Sequence, residues 1–435
     1  MNTVSSTRPA SEHSPNRALT TVVFVILALV CAGNLWYSLT IGGLDFTVYR
    51  SGAMTVFNNE GFTKDLYVID LMRLGPNFSL PFTYPTFAAL LFVPFAFLPK
   101  WAGIVLMMLL AYAVAWWAAT LIYNYANNRG REIPFQNRLG RTGTIAALTI
   151  LILVSGPWRR GLGLVQVNPL IMLLVVWDLV RPATRVPRGL FIGIAGGIKL
   201  TPLAFGLILL MRKDIKGVIT LGLSFLATVG IGFALLPAES VEFWTSAVSD
   251  PSRVGNINYL DNISIQGWLM HLGFVGTGLK VLHYALILLL MAGVALMIPV
   301  LEKRKMWISQ VALNAFLMLS ISPISWSHHN IWLPFIAAAL WVDAFPVFFA
   351  HASAAVRKVA RALAWMGIAG LFISPMWIGI ALYGSTENLD YITTVPLLAS
   401  ALPIISLFCT VLLWIYVGLT HRNALDRNVA SHQAI

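Results

Sequence analysis

Runs of about 20 apolar residues recur from one end of this chain to the other, the length a helix needs to cross a hydrocarbon layer of about 30 Å. They fall at Ala18–Ile41, Trp101–Tyr125, Thr142–Gly156, Val167–Val180, Gly217–Pro237, Leu279–Leu301, Met306–Ser322, Ile331–Ala350, Leu363–Tyr383 and Val395–Thr420. Apolar residues make up 58% of the 435 positions and charged residues only 11%, against roughly 25% charged in ordinary soluble domains. No soluble core could hide that much apolar surface. A membrane β-barrel would instead show short alternating segments, and none are present. The pattern predicts an all-α polytopic membrane protein with about ten to twelve transmembrane helices.

The placement of charge orients such a chain. The net charge of +12 would suggest nucleic acid only if its distribution were ignored. With the N-terminus inside, 20 of the 29 Lys and Arg fall in inside loops, 8 fall outside, and Lys199 lies within an apolar run. Cytoplasmic loops carry such an excess, so both termini are expected in the cytoplasm and no nucleic-acid partner is needed. The first run is too long for a signal peptide and has no small-residue cleavage site, so a retained helix is expected. The expected organisation is a tail at 1–17, a transmembrane domain at 18–420 with a long outer loop at 42–100, and a tail at 421–435. Cys31 and Cys409 lie inside apolar runs and offer neither a disulfide framework nor metal-ligand spacing.

Two apolar segments resist simple spanning. Phe82–Pro99 contains Pro85, Pro94 and Pro99, and a crossing there would put the arginine-rich 129–141 loop outside. It reads as helix lying in the outer interface. Gly189–Met211 has basic loops on both sides and Gly196-Gly197 and Pro202 at its centre. Two half-helices that enter and return satisfy both facts, because broken helix survives at membrane depth only where it lines a cavity.

The chemically suggestive residues gather on the outer side. In "LTIGGLDFTVYRSGA", Asp45 follows the first helix directly, with Tyr49 and Arg50 one turn on. It is either a first-turn cap or, as an ionisable group at a membrane boundary, part of a site. In "SPISWSHHN", His328 and His329 either join Trp326 and Trp332 in an interfacial aromatic belt or serve a site as groups near neutral pKa. Zinc would need further ligands that the outer loops hardly offer. Lys199 must snorkel, pair or bind an anion. Gln166 and Asn168, like Asn256, Asn258, Asn262 and Gln266, suit hydroxyl-rich ligands and helix ends equally. The remaining outer-loop acids, Glu60, Asp65, Asp70, Glu239, Glu242, Asp250 and Asp261, are dispersed.

In order and spacing, "GGLDFTVYRSGA", "FTYPTFAALLFVPFAFLP", "QVNPLIMLL", "GGIKLTPLAF", "NISIQGWL" and "SPISWSHHNIW" resemble glycosyltransferase family 87, membrane mannosyltransferases of the GT-C superfamily. The resemblance covers roughly residues 18 to 420. It implies a GT-C fold in the plasma membrane with interfacial helices in the first outer loop. It also implies transfer of mannose from a polyprenyl monophosphate mannose donor to a phosphatidylinositol mannoside glycolipid on the extracytoplasmic face, forming an α-1,2 linkage. Asp45 is then the expected general base, and His328 or His329 the expected site histidine. Other GT-C enzymes often carry two acids in the first loop, whereas "LDF" supplies one.

Such a reaction needs an activated acceptor hydroxyl, which a carboxylate supplies, and a stabilised departing phosphate. Histidine, Lys199, Arg159 or Arg160 could do the second by charge-assisted hydrogen bonds. Tyr49, Arg50, Gln166, Asn168, Asn262 and Trp326 are the remaining candidates for substrate contact. With no DxD-type acid cluster, neither metal nor other cofactor is expected. Two rivals stay open: a sister mannosyltransferase that branches larger mannolipids, and a lipid-linked sugar carrier, whose signature would be inverted repeats.

Overall fold

The computed structural model describes residues 15–57, 65–68, 70–75, 78–182, 184–384 and 394–423. The expected tails 1–17 and 421–435 lie almost wholly outside them, as does Glu60.

The chain opens with α1 (Arg17–Ile41), which stops at Gly42 with φ 78°, and Gly43 follows at φ 53°. Two left-handed residues in succession are cheap only for glycine, and a Cβ on Gly43 would meet the Val165 side chain at 2.7 Å. This turn starts α2 (Leu44–Phe57), with Asp45 in its first turn. A small antiparallel ribbon follows, β1 (Met72–Gly75) and β2 (Phe78–Leu80), then the short helices α3 (Thr86–Leu91) and α4 (Val93–Ala96). The proline-rich 82–99 segment is thus two brief helices packed on α2 rather than a crossing.

The long helices α5 (Lys100–Asn128) and α6 (Gln136–Val154) form a hairpin against α1. At Ser155 the chain bends by 69° into α7 (Gly156–Leu164), where a short loop is expected from the sequence. Helix α8 (Asn168–Val180) runs back to the end of the bundle where the basic clusters lie.

Between α9 (Leu190–Ile198) and α10 (Gly206–Met211) the backbone is extended at Lys199 and then makes a 3₁₀ turn, Thr201–Phe205. Both ends of this unit are tied at the basic end. The Asp178 carboxylate accepts from the backbone N–H of Gly189, Phe191 and Ile192 at 2.8–3.1 Å and pairs with Arg181 at 3.2 Å. Arg212 pairs with Glu302 at 2.9 Å and donates to Gln310 at 2.8 Å. The segment therefore enters and leaves by one end, with Lys199 at its tip. Helix α9 lies close on α11 (Ile215–Leu235). Gly189, Gly193 and Gly197 form the contact stripe, against Gly217, Ser224 and Thr228, since small residues every fourth position let backbones approach where apolar surface alone gives no drive.

The second half comprises α12 (Pro237–Thr245), α13 (Ile265–His271), α14 (Gly276–Glu302), α15 (Trp307–Ile321), α16 (Leu333–Ala339, continuing as π-helix over Leu340–Phe348), α17 (Ala354–Ile373), α18 (Pro375–Tyr383), α19 (Thr394–Pro396) and α20 (Leu402–Thr420). Among the described residues six helices are long and apolar enough to cross a membrane, eight if each bent pair counts as one span. Shorter apolar helices at Asn168–Val180, Thr201–Met211 and Trp307–Ile321 accompany them. The protein is a multi-pass membrane protein of the expected all-α class.

One expected run is divided. Leu363–Tyr383 is not a single helix: α17 begins earlier, at Ala354, and the chain bends by 80° between α17 and α18. Ser374 sits at φ 96° and Pro375 begins the next helix without an N–H to give. The two bends touch, because Gly156 lies where a Cβ would be 2.7 Å from Leu371 O and from the Ser374 side chain.

Candidate active site

The site is built where α2, α7, the α9 tip and the turn after α15 converge, at the end of the bundle opposite the basic clusters. Asp45 and Tyr49 are one turn apart on α2, so they share a face. The Tyr49 ring stacks on Phe92, with centroids 4.6 Å apart, and stands edge-on to Tyr84 at 5.2 Å. Its hydroxyl lies 3.1 Å from that of Tyr84 and donates to Gln166 Oε1 at 3.0 Å. Gln166 and both tyrosines form a rigid polar wall beside the half-buried Asp45.

Lys199 supplies the cation. Its Nζ lies 3.3 Å from Asn168 Oδ1, 3.3 Å from His329 Nε2 and 5.7 Å from the centroid of the Tyr84 ring. An ammonium can only donate, so the contact makes Nε2 of His329 an acceptor and keeps its proton on Nδ1. Burial, with Lys199 and then His328 adding to it, holds the His329 pKa well below the usual histidine range. His329 is therefore a neutral ring. It lines a cavity with the polar residues Asn168, Lys199 and Ser325 and the apolar Ile171, Met318 and Trp332.

His328 differs. It is buried, its ring packs edge-on to His329 at 4.7 Å, its Nδ1 has no hydrogen-bond partner among the described residues, and its carbonyl accepts from Asn168 at 3.4 Å. The neighbouring tryptophans do not form a lipid-facing belt. Trp332 is buried against Phe205, and Trp326 packs on Tyr259. We expect His329→Ala to lower turnover by at least about 10-fold, the scale of one lost hydrogen bond to a charged group, and His328→Ala to act chiefly on thermal stability. Turnover and melting of the two purified variants check this. Equal, small losses of turnover from both would place neither ring in the reaction.

Asp45 makes no hydrogen bond or ion pair among the described residues. Burial pushes its carboxyl up to about 7, with Lys199 and Arg160 opposing the rise. Arg160, on α7, places Nε 3.1 Å from the wholly buried Asp261. Helix α7 is itself pinned to the far side of the histidine turn, where Trp158 Nε1 donates to Ile331 O at 2.9 Å.

Three expected substrate contacts sit elsewhere. Arg50 turns away from Asp45 and donates to the carbonyls of Phe95 and Ala96, at 3.3 and 3.4 Å, closing the end of α4. Arg159 donates to Ile373 O at 3.1 Å and lies over Trp377, so it satisfies the carbonyl freed by the α17–α18 break. Asn262 is wholly buried. Its amide donates to Ile257 O and Pro323 O, and its oxygen accepts from Ser264 N and Ser325 N. A side chain with its donors and acceptor committed in this way is a clamp between two loops and has nothing left for a sugar. Tyr84 and Asp261, in turn, join the site without having been singled out. The pairing of Asp261 with Arg160 is long-range and leaves no local pattern.

The profile of glycosyltransferase family 87 matches residues 82–323, more than half of the chain. The chain belongs to glycosyltransferase family 87. This family is one of the GT-C membrane glycosyltransferases, and the carrier alternative gives way to an enzyme. The matched span contains Tyr84, Arg160, Gln166, Asn168, Lys199 and Asp261 but neither Asp45 nor the histidine pair. Among curated proteins, the chain is 28% identical over 390 residues to the polyprenol-phosphate-mannose-dependent α-(1-2)-phosphatidylinositol mannoside mannosyltransferase of Mycolicibacterium smegmatis, covering 83% of this chain and 81% of that one. A Mycobacterium tuberculosis protein of the same description is 30% identical over 299 residues, covering 67% and 68%. The corresponding pentamannoside mannosyltransferase of Mycobacterium tuberculosis is 28% identical over 391 residues, covering 87% and 84%. No solved structure matches the chain.

Proposed function

We propose that this glycosyltransferase moves mannose from a polyprenol-phosphate-mannose donor to a phosphatidylinositol mannoside, forming an α-1,2 linkage with inversion, and that Asp45 is the general base. The observation that carries the reading is a half-buried carboxylate without a hydrogen bond among the described residues, facing a lysine held by Asn168 and His329. In the relatives the donor is a polyprenol-phosphate-mannose and the acceptor a phosphatidylinositol mannoside. Phosphate is already a good leaving group. What the protein must add is proton removal from the acceptor hydroxyl, which a base with pKa near the working pH does best, and cations poised for the departing phosphate. Lys199 and Arg160 fit that role. Attack from the face opposite the phosphate inverts a β-linked donor to an α-mannoside.

The distribution of charge supports an outward-facing site. The clusters at 129–141, 181–188, 212–216, 303–305 and 357–361 share the end of the bundle away from Asp45. Basic loops favour the cytoplasmic side, so the reaction belongs to the extracytoplasmic leaflet, where both lipid substrates enter sideways from the membrane.

Among the described residues no three His, Cys, Asp or Glu side chains gather to hold a metal ion, and Mg²⁺ normally takes one or two carboxylates together with substrate phosphates. Purified enzyme in nanodiscs, given polyprenyl-phosphate mannose and mannosylated phosphatidylinositols of different lengths, is expected to form an α-1,2-mannosidase-sensitive product at the same rate with and without EDTA. Activity abolished by chelator and restored by Mg²⁺ or Mn²⁺ would overturn the metal-free mechanism. Absence of any mannolipid product would overturn the donor assignment.

A further inference from the structure

A charged pair in the site is held in an unusual way. Asp261 is wholly buried, and its carboxylate lies against Ser327 of the histidine turn. Its charge is met by Arg160 Nε at 3.1 Å. A carboxylate so placed is poor value for stability, because a single ion pair seldom repays the desolvation of both charges.

The surroundings show what the arrangement does achieve. Asp261 immediately precedes Asn262, whose side chain is fastened to Pro323 and Ser325, and Ile263 N donates to Ser325 O at 2.9 Å. The loop bearing Asp261 is therefore fixed to the histidine turn, while Arg160 rides on α7, which is anchored by Trp158 to Ile331 O. Of the guanidinium, Nε faces Asp261 in this ion pair. Its terminal nitrogens have no hydrogen-bond partner among the described residues, and 31% of the side chain is exposed. A planar fork gripped at one edge presents its other edge in a fixed direction.

We propose that Asp261 is a positioning residue that holds Arg160 so that its free edge meets the donor phosphate, with Lys199 as the second cation. This rests on the polyprenol-phosphate-mannose reading above. Phosphate is recognised by such a fork through paired charge-assisted hydrogen bonds, and a freely rotating arginine would have to be ordered anew for every donor bound.

The test uses full-length enzyme in nanodiscs with polyprenyl-phosphate mannose as the varied substrate. Asp261→Asn is expected to raise KM for the donor by about 10- to 100-fold, the range of a lost hydrogen bond to a charged group. The KM for acceptor should stay near wild type, while kcat falls by a smaller factor, because the same edge also meets the departing phosphate. Asp261→Glu should recover most of the loss. Arg160→Gln should reproduce the donor-specific effect, and adding Asp261→Asn to it should cost nothing more, since residues acting through one another are not additive. Additive losses, or equal effects on both substrates, would overturn the proposal. Should Asp261→Asn fail to fold, Arg160→Gln decides alone, and an unchanged donor KM there sinks it. Wild-type enzyme that does not turn over the donor refutes the functional reading and this proposal together. Normal wild-type turnover with an unaltered Asp261→Asn refutes only the positioning role.

Discussion

Replacing Asp45 by asparagine is expected to lower turnover by at least about 10²-fold, the scale of losing a general base, while the protein still inserts and elutes as wild type. Asparagine keeps the size of the side chain and its place in the first turn of α2, but it cannot accept a proton. If Asp45 were only a helix cap, asparagine would serve as well, because the two are about equal at N-caps. The substitution therefore separates the two roles. Near-normal product formation by the variant would remove Asp45 from the chemistry.

The second large effect is expected at Lys199. Changing it to methionine removes the ammonium held by Asn168 and His329, and we expect a loss of about 100-fold at neutral pH, at the upper end for hydrogen bonds to charged groups. It should also move the pH profile. In the wild type the Asp45 carboxyl sits at about 7 and Lys199 holds it down against the rise from burial. Only the ionised form is a base, so kcat/KM should fall as pH drops through about 7. Without Lys199 the carboxyl rises further and the acidic limb shifts to higher pH, so part of the loss should be regained on raising the pH. A profile that merely scales down, with its limb unmoved, would mean that Lys199 and Asp45 do not share a site.

Much of the framework was legible because membranes enforce a strict length and composition on helices. The proline-interrupted segment before Lys100 and the glycine-broken one around Lys199 could be read as exceptions, since each conflicted with the placement of neighbouring arginines. The bends at Ser155 and Ser374 could not. The run through Ser374 is apolar on both sides of Pro375, and the packing of its bend on Gly156, a residue far away in sequence, leaves no local pattern. The arginines are hard to place from sequence for a related reason. Arg50 and Arg159 stand beside site residues in sequence, yet each is spent on carbonyls at a helix end, and only three-dimensional packing reveals which carbonyls are left over. Asp261 shows the converse. One dispersed acid among several, it gains meaning only from the loop clamp at Asn262 that brings it to Arg160.

The tie between Arg212 and the pair Glu302 and Gln310 also bears on the order in which the enzyme can become active during its synthesis. The tip carrying Lys199 is made early, but one of its two footings belongs to helices made much later. A lone lysine at membrane depth is costly to keep there, and until α14 and the start of α15 have been inserted, the Arg212 end of the returning arm lacks its pairing with Glu302 and Gln310. The histidine turn that receives Lys199 follows directly after α15. A nascent chain therefore carries its carboxylate long before it owns a seated cation, and an activated sugar lipid drifting past meets no competent centre until most of the bundle is in place.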